Sequence, residues 1–80
     1  MKKWAPIMII WSDAHGGDSG WMEHNELEHK PVSVTTVGML FKRDAKGITV
    51  VSNKTNENIG GYMFVPEVNI VSVTELKAGE

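Results

Sequence analysis

Ten residues, 32–41, read Val-Ser-Val-Thr-Thr-Val-Gly-Met-Leu-Phe between Pro31 and the polar segment 42–47. No other part of the chain constrains the fold as strongly. β-Branched and aromatic side chains dominate the run, which favours an extended strand over a helix. Its apolar parity changes on the way: Val32 and Val34 share one face, and Val37, Met39 and Phe41 share the other. Gly38 is the expected place for a bend or bulge that permits the switch. The turn 42–47 ends in glycine and leads into Ile48-Thr-Val-Val-Ser52, so the pair reads as a hairpin.

The rest of the chain follows the same extended pattern. Residues 7–11, Ile-Met-Ile-Ile-Trp, form a compact apolar run with Pro6 at its start, where a missing N–H is tolerated. Segment 12–20 is glycine-rich loop chemistry. Residues 21–29 carry no clean apolar stripe at helical spacing and stop at Pro31. They are expected to form one or two helical turns at most, packing Trp21 and Leu27 onto the sheet. Residues 53–61 are a second polar loop, and 62–65 a short strand broken by Pro66-Glu67. Residues 69–76 make the last strand, and 77–80 a frayed tail. Five strands with one long excursion after the first predict an all-β, five-stranded SH3-like or Sm-like barrel. It forms a single domain over residues 1–80, with an ordered core over about 5–76. Closure would remove the exposed edges of a small open sheet.

An 80-residue chain buries only about 60% of its unfolded surface and usually needs a staple. The absence of cysteine removes disulfides and thiolate zinc, which leads to the expectation of a homo-oligomer in a reducing, cytoplasmic setting. Lys2 and Lys3 before the apolar run imitate a signal peptide. The run is short, Asp13 follows it, and no small-residue cleavage site appears. No segment has the roughly 20 apolar residues that span a bilayer.

Two features resemble known barrel families. Val37-Gly38-Met39-Leu40, a turn containing Asp44, and Val50-Val51 look like the first half of an Sm-type fold. Phe64-Val-Pro-Glu-Val-Asn-Ile-Val71 resembles the strand, one-turn break and strand that close SH3-like and Sm-like barrels. The Asn and the Arg-Gly with which Sm proteins bind RNA are missing, so that activity does not carry over. The chain as a whole resembles a loose set of small phage-encoded proteins of similar length. The matching pieces are Trp11-Ser-Asp-Ala14, Gly20-Trp21, Thr36-Val-Gly-Met-Leu40, Val65-Pro66 and Ile70-Val71. This resemblance implies a phage setting, where small barrels inhibit host proteins or sequester nucleotide immune signals.

Catalytic constellations are not found. Gly17-Asp-Ser-Gly20 imitates a protease nucleophile segment, but the chain is too short for that fold and no base is positioned. His15, His24 and His29 lack the HExxH spacing of a zinc site. Neither a cofactor nor a metal is expected. The charges are uneven: residues 4–29 hold five acids and no Lys or Arg, and residues 30–54 hold five bases and one acid. A ligand would draw on Trp11 or Trp21 for stacking and on Asp13 to accept from hydroxyls. Lys42, Arg43 and Lys54 would meet phosphate, with Ser52, Asn53, Asn56 and Asn58 as adaptable hydrogen-bonding groups. The expected function is therefore a non-enzymatic phage-type protein that sequesters a small nucleotide-derived signal, in a pocket between protomers. The alternative is a module that inhibits or adapts a host protein through a strand edge or an aromatic patch. General nucleic-acid binding is disfavoured by the net charge of -2.

Overall fold

The computed structural model describes residues 1–13, 21–26 and 30–77. Five antiparallel strands form one sheet: β1 (Pro6–Asp13), β2 (Val32–Asp44), β3 (Gly47–Lys54), β4 (Ile59–Pro66) and β5 (Ile70–Glu75). Their order is β4-β3-β2-β1-β5. The fold is all-β, and among the described residues the only helical elements are two single 3-10 turns, His24–Glu26 and Glu67–Asn69. Leu27 lies outside the described residues. Trp21 is fully solvent-exposed, so the expected packing of this side chain onto the sheet is corrected: it reaches none of the apolar core.

β2 is long enough to belong to two half-sheets. Its first part pairs with β1, from Val32 opposite Asp13 to Met39 opposite Pro6. Its second part pairs with β3, from Met39 opposite Val51 to Asp44 opposite Gly47. The β2–β3 register shifts between Leu40 and Lys42, which leaves Phe41 as the extra residue of a bulge. The irregularity is thus three positions beyond Gly38. Gly38 has a different task. A Cβ there would lie 3.0 Å from the Val51 carbonyl oxygen and 3.1 Å from Val50 Cβ, so glycine permits a close approach of β3.

The core is small. Ile7 and Ile9 of β1, Leu40 of β2, Ile48 and Val50 of β3, and Val65 of β4 make one buried cluster, with Trp11, Ile70 and Val73 packed against it. Residues opposite one another in an antiparallel pair share a face. Val34, Thr36 and Gly38 therefore lie on the core side with Leu40, and Val37 and Met39 on the other. Val37 is 59% exposed. Val37 and Met39 thus lie on the face away from the core cluster, and Leu40 supplies the buried side chain of β2.

The connection between β4 and β5 shows that the sheet is coiled. These strands are at opposite ends of the order, where a flat sheet would hold them about 19 Å apart. From Pro66 to Ile70 the chain takes four steps, about 15 Å if fully extended, and most of them are a compact 3-10 turn. The turn packs on both β1 and β3. Asn69 Nδ2 donates to the Ser12 carbonyl at 3.0 Å, and the Glu67 N–H donates to the Lys46 carbonyl at 3.0 Å. No ladder joins β4 to β5, so each keeps one edge that no described strand covers.

Candidate functional site

The sequence-derived ligand residues fall into two groups at opposite ends of β3. One group surrounds the Glu67–Asn69 turn. Arg43 shares the core-side parity of Ile48 and donates from Nη2 to Glu67 Oε1 at 3.1 Å. Glu67 Oε2 is out of contact with solvent and accepts no hydrogen bond, while the Arg43 and Glu67 side chains are each 40% exposed. Lys42 pairs with Asp44 at 3.8 Å. Backbone N–H donation from Lys46, at 2.9 Å, holds the Asp44 carboxyl below its ordinary range. Desolvation opposes it, and the Gly47 N–H and the charges of Lys42 and Lys46 add to the lowering. Lys42 and Arg43 are thus each engaged by a carboxylate of the same chain.

Trp11 and Asp13 belong to the same end through β1. Trp11 is half-buried on the core side, and its Nε1 donates to Thr36 Oγ1 at 3.0 Å. That geometry makes it part of the packed interior and occupies its polar handle. Asp13, the last residue of β1, is exposed. Trp21 projects into solvent outside the strands.

The second group gathers at the β3–β4 turn. Asn53, Lys54, Thr55, Asn58, Ile59 and Gly60 line an open depression of about 230 Å³, and Ser52 is exposed at its side of β3. The turn is built by Thr55, whose hydroxyl accepts from the N–H groups of Glu57 and Asn58 at 3.3 and 3.0 Å. Asn53 Nδ2 is committed to the Gly60 carbonyl at 3.3 Å. Six residues of extended chain separate Ile48, which faces Arg43, from Lys54, about 20 Å. The backbones of Arg43 and Lys54 therefore lie near opposite ends of β3.

The structure adds residues that sequence reasoning passed over. Trp4 adopts φ 71°, a left-handed conformation that costs a non-glycine residue roughly 1–2 kcal/mol. Its N–H donates to the Leu40 carbonyl, and its ring packs edge-on against Phe41 at 5.7 Å. The ammonium groups of Lys3 and Lys54 lie 5.0 and 4.9 Å from the indole centroid, and Lys3 lies 4.4 Å from that of Phe41. Among the described residues neither lysine is in an ion pair with a carboxylate. The adjacency Lys2-Lys3-Trp4 was the available signal for this cationic aromatic patch.

The most exposed apolar feature is β4. Its eight residues, Ile-Gly-Gly-Tyr-Met-Phe-Val-Pro, carry no charge. Only Val65 is buried; Ile59 is 46% exposed, Tyr62 75%, Met63 42% and Phe64 48%. Edge strands of soluble proteins are usually protected by charge, shortness or a cover, and among the described residues nothing covers this one. No described residues form a metal-ligating group, and no described helix is long and apolar enough to cross a membrane. Comparison with family models, curated proteins and solved structures gives no match.

Proposed function

We propose that this chain is a non-enzymatic protein-interaction module that engages its partner through the β4 edge. The observation that carries the reading is the uncharged edge strand with Ile59, Tyr62, Met63 and Phe64 in solvent. An incoming strand would satisfy the free backbone groups of β4, and side-chain contacts to Tyr62 and Phe64 would select it. Aromatic residues of this kind dominate interface energetics. A phage-encoded inhibitor or adaptor in the host cytoplasm fits such a surface. The test is a photo-reactive residue at position 62 or 64, with position 37 as the exposed control on β2. Crosslinks to a protein from 62 and 64, absent from 37, support the edge. Equal yields from all three positions refute it.

A second reading is favoured by the gathering of Asn53, Lys54 and Asn58 about one depression, with the Lys54 ammonium 4.9 Å from the Trp4 indole centroid. There the chain would hold a nucleotide-derived ligand, with Trp4 in the stacking role first given to Trp11 or Trp21. A depression of about 230 Å³ is below the size of usual small-molecule pockets, about 300–1,000 Å³, so a second protomer would have to complete it. Calorimetry with cyclic dinucleotides and ADP-ribose derivatives decides. Binding lost in Trp4→Ala and Lys54→Met supports this reading, and an empty panel rejects it.

A further inference from the structure

We infer that the occupant of the β4 edge is a second copy of this chain, paired antiparallel to it about a two-fold axis through Met63. The inference rests on the edge-docking reading and names its partner.

Three observations select a second copy. The first is the size of the core: among the described residues seven apolar side chains are buried, while eleven large ones are exposed. A domain this small gains stability by burying more surface, and its own copy is always available. The second is charge. Residues 59–66 contain no Asp, Glu, Lys, Arg or His, so self-pairing places no like charges opposite each other. The other open edge, β5, is shorter and carries Glu75. The third is the arrangement of side chains along β4. Opposite residues in an antiparallel pair lie on the same face. In a two-fold self-pairing the sheet faces continue across the axis, so paired positions must share parity.

Met63 is the central position whose register joins the exposed aromatics. Tyr62 then faces Phe64 of the other copy on the surface away from the core, and the same contact recurs by symmetry. Gly61 faces Val65, whose side chain is already buried in its own core, so neither needs to move. Gly60 faces Pro66, which ends β4 and needs no partner for a donor it lacks. A register about Tyr62 would instead set Phe64 against Gly60 and replace the two Tyr62–Phe64 contacts by a single Tyr62–Tyr62 one.

The chain has no cysteine, so thiols can be placed singly. Met63→Cys brings two equivalent thiols across the axis, with Cα atoms about 4.5–5.5 Å apart, within disulfide range. Under mild oxidation it should link into a covalent dimer. Tyr62→Cys alone should not, because its symmetry mate is diagonal, about 7–8 Å away. Tyr62→Cys mixed with Phe64→Cys should link. Sedimentation of the unmodified chain near 100 µM (about 0.9 mg/ml) should give twice the 8.9 kDa chain mass, and Tyr62→Lys should give one chain mass with an unchanged far-ultraviolet spectrum.

An unmodified chain that sediments at 8.9 kDa overturns self-pairing. So does a dimer in which Met63→Cys fails to link, since the contact then lies elsewhere. A monomer whose position 62 crosslinks a different protein overturns self-pairing and leaves edge docking intact. A monomer with no crosslink at 62 or 64 removes both.

Discussion

Trp11 of β1 and Thr36 of β2 are joined by an indole N–H donated to the threonine hydroxyl at 3.0 Å, and that hydroxyl is 3.7 Å from the Met63 sulfur of β4. The chain of contacts crosses the coiled sheet from one half to the other. It explains why a partly buried tryptophan faces inward: its ring packs on the core cluster while its one polar atom is satisfied.

Replacing Trp11 by Phe keeps most of the packing and removes the donor. A net cost of about 1 kcal/mol is expected, a fall in Tm of roughly 4–8 °C for a domain of this size. In a double-mutant cycle with Thr36→Val the two losses should be less than additive, because they remove one interaction. Strict additivity in denaturant titrations would show that the hydrogen bond contributes nothing.

Gly38→Ala should cost about 1–3 kcal/mol by overpacking, since the added methyl meets the Val51 carbonyl and Val50 Cβ. Gly47→Ala should be worse, because a methyl there collides with the Val65 backbone carbonyl, which a change of rotamer cannot relieve. The order Gly47, Gly38, Gly60 in loss of urea midpoint tests this, as a Cβ on Gly60 meets only ordinary contacts. A Gly38→Ala protein with an unmoved midpoint would show that β3 can withdraw freely.

Asp44 gives the β2–β3 turn a pH dependence. Its carboxyl is held below the ordinary 3.8, first by the Lys46 N–H. A carboxylate with a lowered folded-state pKa stabilises above its unfolded-state value and loses that contribution as pH falls through the folded one. Asp44→Asn should therefore be less stable than the parent near neutrality, and the gap should narrow in acid below pH 3.8. Paired urea titrations across that range measure it. A gap that is constant into strong acid would assign the loss to turn geometry instead of charge.

Strand content was legible in the sequence because β-branched runs, prolines and glycine-ended turns act locally. Residues 7–11 lie in β1, 48–52 in β3 and 62–65 in β4, and Pro66-Glu67 does break the chain. The parity change of β2 was legible, but its irregularity was expected at Gly38 and lies between Leu40 and Lys42. Close approach at Gly38 removed the need for a side chain there, and the bulge at Phe41 re-aimed what followed. The proposed ligand residues were chosen by chemical type, and type says nothing of separation along β3.

Local residue preferences determined that this chain is a small all-β domain with a hairpin at 42–47 and a one-turn break after Pro66. They act through φ, ψ and side-chain crowding over a few residues. Tertiary structure alone decided which positions meet. Coiling of the sheet, forced by the short path from Pro66 to Ile70, set Arg43 on Glu67 and Asn69 on Ser12. It sent Lys54 to the far end, over Trp4. β4 was left at an edge because strand order depends on long-range pairing, which no local pattern encodes, and an apolar strand looks the same in sequence whether covered or bare.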